Sequence, residues 1–258
     1  MYKMLVSDFY NALIDYEEAI PLSTMIEIDK IRQNGILFSV VTGKSPMLIN
    51  DYNKDFPFID FIIGFNGNYI YDVVNKKVLY DKVLGISIVK KIYKTFMDKN
   101  ICFYTLDCCN YIGNYKDIDC SEEISDFNSF FEVNKQRIYK IKICVETLKD
   151  AKKIVDVIIA FQLKVNTYIN VFDDKYFVEI YSCVSDKLLG VQKICKLNKI
   201  NISEVVGIGV SEESYVLIKN VGYGVCLLNA CDSLKKISRF VGLSNNDKGV
   251  EQIIKKIF

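Results

Sequence analysis

Apolar residues in this chain gather into short buried-type runs separated by amphipathic stretches. Lys3 to Ser7 reads as a short strand, and LSTMIEIDKIRQNG as a helix in which Met25, Ile28 and Ile31 recur at three-residue spacing before a stop at Gly35. ILFSVVTG reads as a second buried strand ending at Thr42-Gly43. FIDFIIGFNGN gives a third, with Asn66-Gly67 turning the chain, and YIYDVVNKKVLYDK a hairpin. Strands alternating with helices in this order predict a mainly parallel α/β sheet.

After Val83 the texture changes. ISIVKKIYKTFMDKN is an amphipathic helix, ICFYTLDCCNYIGNY an aromatic-rich strand region with a turn, and RIYKIKICVE an alternating strand. DAKKIVDVIIAFQL is a helix, and KVNTYINVFDDKYFVEIYS a strand pair. The parallel-sheet texture then resumes with DKLLGVQKICKLNKI as a helix, EVVGIGV as a strand, ESYVLIKNV as a helix, YGVCLL as a strand, SLKKISRFV as a short ordered piece and GVEQIIKKIF as a closing helix. The expected organisation is an α/β core formed by residues 1–83 and 182–258, interrupted by an α+β unit over residues 84–181.

Composition narrows the classes. With 258 residues, half of them hydrophobic, the chain can bury a substantial core, and 3 Pro with 13 Gly exclude a disordered or collagen-like chain. Lys plus Arg number 33 against 32 for Asp plus Glu, so no global field draws nucleic acid. The lysines of DSLKKISRF and GVEQIIKKIF interleave with apolar positions and read as solvated helix faces. No apolar run approaches the roughly 18 residues of a membrane helix, and the N-terminal run is too short for a signal peptide. Histidine is absent, which excludes the common zinc sets and His-based dyads and triads. The nine cysteines include no CxxC pair, and the expectation is a cytoplasmic protein with reduced, mostly buried thiols.

Chemistry is expected at the carboxyl ends of the strands, where loops converge in parallel α/β sheets. Asp8, Thr42, Asn66 and Val210 fall there, and Lys187 opens a predicted helix. An aspartate so placed can act as a covalent nucleophile or metal ligand, a Thr-Gly pair can hold phosphate oxygens, and a lysine can neutralise a transferring phosphoryl group. Each residue also has a plain structural use as a cap, a turn or a solvated lysine. Together they frame a phosphate-cleft hypothesis.

The same stretches resemble, in order and over essentially the whole chain, the haloacid dehalogenase-type phosphatases, specifically a Cof-like branch with a large inserted cap. MYKMLVSDFYNALI resembles the first motif, Asp-x-Asp-Gly-Thr-Leu, and ILFSVVTGKS the second, where Thr-Gly-Arg is usual. FNGNYIYD resembles the Phe-Asn-Gly stretch ahead of the cap, and YFVEIYSCVSDK the return from it. EVVGIGVSEESYVLIKNVGYGVCLLNA resembles the fourth motif and following strand, and SNNDKGV the loop before the last helix. The resemblance implies a Rossmann-like core with a parallel sheet and an inserted α/β cap of the C2 type. It also implies Asp8 as nucleophile, Lys187 as the lysine that steadies nucleophile and phosphate, and Thr42, Gly43, Lys44, Asn66 and Asn245 around the phosphate. Lys44 stands where Arg is common.

Several positions depart from that pattern. The family's general acid/base aspartate is Tyr10 here, and its Gly and Thr are Asn11 and Ala12. The fourth motif, Gly-Asp-x-x-Asn-Asp in the family, reads Gly209-Val210-Ser211-Glu212-Glu213-Ser214. Magnesium in an active member is held by the nucleophile, the backbone carbonyl two residues on and an acid of the fourth motif. Here Val210 supplies no oxygen, Ser214 is neutral, and only Glu212 or Glu213 is left to join Asp8. A phenol, titrating near about 10, is a poor base for activating water.

Two main readings therefore stay open. One is a catalytically impaired member whose cleft binds a small phosphorylated metabolite, or which persists as a non-catalytic interaction protein needing no cofactor. The other is a divergent magnesium-dependent phosphatase acting on sugar phosphates or similar phosphomonoesters. Neither reading involves nucleic acid or a membrane.

Overall fold

The computed structural model describes residues 1–258 apart from 15, 16, 18, 51–57, 117–119, 134–136 and 185. The last of these, Ser185, belongs to the cap-return stretch of the sequence and lies outside the described residues. The chain divides into two compact units, one from Met1–Asp81 with Asp186–Phe258, the other from Lys82–Ser185.

The first part of the split unit runs β1 (Met4–Asp8), α1 (Leu22–Gln33), β2 (Leu37–Val41), α2 (Met47–Asn50), β3 (Phe61–Gly64), β4 (Tyr69–Asp72) and β5 (Lys77–Asp81). The inserted unit contains α3 (Ile86–Phe96), β6 (Asn100–Tyr104), β7 (Cys109–Ile112), β8 (Cys120–Glu123), α4 (Phe127–Val133), β9 (Lys140–Val145), α5 (Leu148–Ala160), β10 (Val165–Phe172) and β11 (Lys175–Ser182). The split unit then closes with α6 (Lys187–Asn198), β12 (Val205–Gly209), α7 (Tyr215–Asn220), β13 (Tyr223–Leu227), α8 (Asp232–Ile237), β14 (Phe240–Gly242) and α9 (Gly249–Ile257).

In the split unit the strand order is β14-β13-β12-β1-β2-β3-β4-β5, parallel from β14 through β3, with β4 and β5 added antiparallel. The central strands are buried along their length, which is why they read as continuous apolar runs. Helices cover the sheet through apolar stripes: α9 turns Val250, Ile253 and Ile254 inward and leaves Lys255 and Lys256 exposed. Full burial of such side chains contributes about 1.5–3 kcal/mol each. In α1, Ile28 and Ile31 are buried as the spacing predicts, but Met25 is only half-buried and Thr24 takes the remaining inward position.

The inserted unit has its own sheet, ordered β10-β11-β9-β6-β7-β8 and antiparallel except between β7 and β8. Ile141, Ile143, Val178 and Ile180 project from one face into a core with Val89 and Ile92 of α3 and Ala151 and Ile154 of α5. Strand alternation puts Lys140 and Glu179 on the other face, where both are buried. Lys140 Nζ lies 3.4 Å from Glu179 Oε1, the Tyr181 hydroxyl donates to Glu179 Oε2 at 2.6 Å, and the Lys140 ammonium sits 4.1 Å from the Tyr104 ring centre. Burial pushes the Glu179 carboxyl up, but Lys140, the Tyr181 hydroxyl and Lys142 together outweigh it and hold the group below the ordinary glutamate range.

Three expectations change. β8 and α4 do not show in the sequence pattern, because CSEE has no apolar alternation and FNSFFEV is short and aromatic. SLKKISRFV divides into a helical turn and an edge strand. The thiols are not all reduced: Cys109, whose backbone register partner is Cys120, is disulfide-bonded. That strand pairing, invisible in the sequence, brings distant cysteines into register. Cys102, Cys144, Cys195 and Cys226 are buried free thiols, whereas Cys183 is exposed. No helix among the described residues is long and apolar enough to cross a membrane.

Candidate active site

β1 sits between β12 and β2, so the chain leaves it toward one side of the sheet and returns on the other. Strand ends at such a reversal diverge and leave a crevice. Asp8 is the last residue of β1, in register with Val41 of β2, and the preceding residue, Ser7, is in register with Ile208 of β12. Thr42 and Val210 thus follow directly on the neighbouring strand ends.

The Asp8 carboxylate is buried and accepts from three donors of the later half of the chain. Lys187 Nζ, at the first residue of α6, donates to Oδ1 at 2.8 Å. The Val210 amide donates to Oδ2 at 2.9 Å. The Ser214 hydroxyl lies 2.8 Å from Oδ1 and 2.7 Å from Oδ2, and its oxygen accepts from Lys187 Nζ at 2.9 Å. Gly209 makes the approach possible: a Cβ there would stand 2.8 Å from the Cβ of Ser214. Lys187 and Ser214 are themselves buried.

Past Asp8 the chain makes a wide turn over Phe9–Leu13, in which Asn11 adopts a left-handed conformation with φ 59° and ψ 9°. Asparagine tolerates that region better than most residues, so the backbone needs no glycine here. Two asparagine amides hold the turn. Asn229 Nδ2 donates to the Asn11 carbonyl at 2.8 Å and Asn245 Nδ2 to the Ile14 carbonyl at 3.0 Å, while Asn229 Oδ1 accepts from the Asn245 amide. The expected phosphate ligand Asn245 therefore has its amide nitrogen engaged with backbone. Sequence reading missed Asn229 altogether, since a lone Asn after a strand carries no signal. Ala12 is buried, and Tyr10 packs its ring on Phe9 with the Lys44 ammonium 4.6 Å from its centre.

The loop after β2 is joined to the turn after β3. Thr42 Oγ1 accepts from the Lys44 amide at 3.0 Å, the Asn66 amide donates to the Thr42 carbonyl at 2.9 Å, and the Phe65 amide to the Lys44 carbonyl at 3.1 Å. Gly67, with φ 95°, closes this turn against α6, where a Cβ would meet the Asp186 carbonyl. Thr42, Gly43, Lys44 and Asn66 thus form one stitched corner of the split unit.

The magnesium that the resemblance implies does not fit this donor set. Around Asp8 stand an ammonium, a hydroxyl and an amide, all offering hydrogens, and the Val210 side chain offers only carbon. Glu212 accepts a hydrogen bond from Ser233, and Glu213 Oε2 lies 3.9 Å from Lys187 Nζ. Among the described residues no group of three or more Cys, Asp or Glu side chains is placed to hold a metal ion. Magnesium needs hard, charged oxygen ligands in near-octahedral array.

Comparison with known proteins agrees with this architecture. Residues 5–254 match the family model described as haloacid dehalogenase-like hydrolase. The chain is 25% identical over 299 aligned positions to the 5-amino-6-(5-phospho-D-ribitylamino)uracil phosphatase YwtE of Bacillus subtilis (strain 168), covering 99% of this chain and 98% of that protein. Among solved structures, a haloacid dehalogenase-like hydrolase from Bacteroides thetaiotaomicron superposes with a TM-score of 0.81 at 23% identity, over the whole of both chains. Another from B. subtilis gives a TM-score of 0.86 at 16% identity, over 99% of this chain and 100% of that one. A Rossmann-like core interrupted by a unit with its own sheet is the architecture these chains share, and the protein described here belongs to the haloacid dehalogenase-like hydrolases.

Proposed function

We propose that this chain is a Cof-like member of its family whose phosphatase chemistry is impaired, and that its cleft binds a small phosphorylated metabolite without efficient turnover. One observation carries the reading: both oxygens of Asp8 are engaged by Lys187, Ser214 and the Val210 amide. A nucleophilic carboxylate must present a lone pair to phosphorus in line with the leaving group. Here three donors already hold the carboxylate, and attack through a bonded lone pair requires breaking a charge-assisted bond in a buried site, where such bonds are strong.

Tyr10 adds a second obstacle. It holds the sequence position at which the resemblance expects the acid that takes a proton from water, and its ring lies under the Lys44 ammonium. In the proposed reading Thr42, Gly43 and Lys44 supply the hydroxyl, amide and cation that meet phosphate oxygens, and Asn66 borders them. Asn245 supports the Asp8 turn. Lys187 is spent on Asp8 rather than on ligand charge. A cytoplasmic setting is part of the same proposal.

The alternative, a divergent phosphatase, draws on the retained Asp8 and Lys187 and on the named activity of the B. subtilis relative. Phosphate release from p-nitrophenyl phosphate and several hexose phosphates, with magnesium, separates the two. The impaired reading expects rates scarcely above background and equal for wild type and Asp8→Asn. A magnesium-dependent rate that disappears in Asp8→Asn would establish the divergent enzyme instead.

A further inference from the structure

We infer that Asp8, held by Lys187, Ser214 and the Val210 amide, now serves as a cation-independent tie between the two sequence halves of the split unit. The inference deepens the impaired reading but concerns what the site binds and does for the fold, not whether it turns over.

The hydrogen bonds of Asp8 favour it. A carboxylate has about four lone-pair positions. Lys187 donates to Oδ1, the Val210 amide to Oδ2, and the single Ser214 hydroxyl proton lies between the two oxygens, so three of these positions are taken. The Lys187 ammonium faces Asp8 at 2.8 Å and Glu213 at 3.9 Å, and Asp8, Lys187 and Ser214 are all buried. A divalent ion entering here would have to displace that ammonium or sit beside it in a site of low effective dielectric. The partners lie 179, 202 and 206 positions along the chain from Asp8, so the network joins β1 to elements that follow the insertion.

Ser214 is the residue on which the arrangement turns. Its hydroxyl can donate to Asp8 while its oxygen accepts from Lys187, so it links the pair without adding charge. A carboxylate at that position would stand against Asp8 with only Lys187 to neutralise it, Asp8 and the nearby Glu213. The added negative charge, beside Asp8 and Glu213, is one that a divalent ion would relieve.

Thermal melting of the full chain tests this. Wild type and Ser214→Asp are melted in EDTA and in about 10 mM magnesium chloride at matched ionic strength. Wild type should shift by less than about 1 °C between the two, whereas a site of micromolar affinity would raise the midpoint by roughly 10 °C. Ser214→Asp should melt below wild type in EDTA and recover with magnesium. A magnesium-stabilised wild type overturns the inference, as does a folded Ser214→Asp that ignores the ion. Should that variant not fold, the wild-type melt decides alone. Magnesium-independent turnover would defeat the impaired reading and leave this inference standing. Magnesium stabilisation without turnover would do the reverse.

Discussion

Lys187 Nζ rests 2.8 Å from Asp8 Oδ1 although 179 positions of sequence separate them, and the two side chains are each only 4% exposed. Removing one member of such a pair strands the other charge out of water, a loss of about 3–5 kcal/mol. Asp8→Asn keeps the shape but cancels the charge, and Ser214 and Val210 remain to bond the amide oxygen. The expected destabilisation is about 3 kcal/mol, at the low end of that range. Urea denaturation at neutral pH measures it. A loss below about 1 kcal/mol would mean that the pair behaves as a solvated surface ion pair.

The turn after Asp8 separates two small substitutions by size of effect. Asn11 holds φ 59° with its carbonyl bound to Asn229. Asn11→Gly removes the steric cost of a Cβ in this region and should change stability by less than about 0.5 kcal/mol. Asn11→Ala should cost about 1 kcal/mol, because alanine lacks asparagine's tolerance for left-handed backbone. Equal denaturation midpoints for the alanine variant and wild type would show that the turn relaxes freely.

Glu179 makes the inserted unit sensitive to acid. Its carboxyl is pushed up by burial but held below the ordinary range by Lys140, Tyr181 and Lys142. A lowered folded-state pKa stabilises fully above the unfolded value, about 4.3, and the gain is lost as pH falls through the folded value. Glu179→Gln should therefore cost about 3 kcal/mol at pH near 7, leaving Lys140 without its counter-charge, and the gap to wild type should narrow below pH of about 4. Chemical denaturation of both proteins across that range is the measurement. A gap independent of pH would contradict the assignment.

Much of the fold was legible because its causes are local. Continuous apolar runs such as LFSVV and VVGIG mark strands buried on both faces, and the stripes of α3 and α9 mark helices. Asp8 was legible from its place at a strand end. Its partners were less so, because they are set by long-range strand order: Ser214 reads as a weak metal ligand in sequence and stands in space as a hydrogen-bond donor to Asp8. Asn11 reads as a lost glycine, yet the backbone it must adopt is one asparagine accepts. The Asn229 and Asn245 clamps and the register of Cys109 with Cys120 depend on contacts that no periodicity encodes.

Whether Asp8 ever takes a phosphoryl group is tested most directly by rapid mixing of enzyme with p-nitrophenyl phosphate in magnesium buffer, recording nitrophenol from the first turnover. A carboxylate held by Lys187, Ser214 and Val210 should give neither a burst nor a steady rate, and the traces of wild type and Asp8→Asn should superpose. A burst approaching one nitrophenol per chain, present in wild type and absent from Asp8→Asn, would show that Asp8 is free to attack and would contradict the account, even if the slow phase that follows were as feeble as Tyr10 implies.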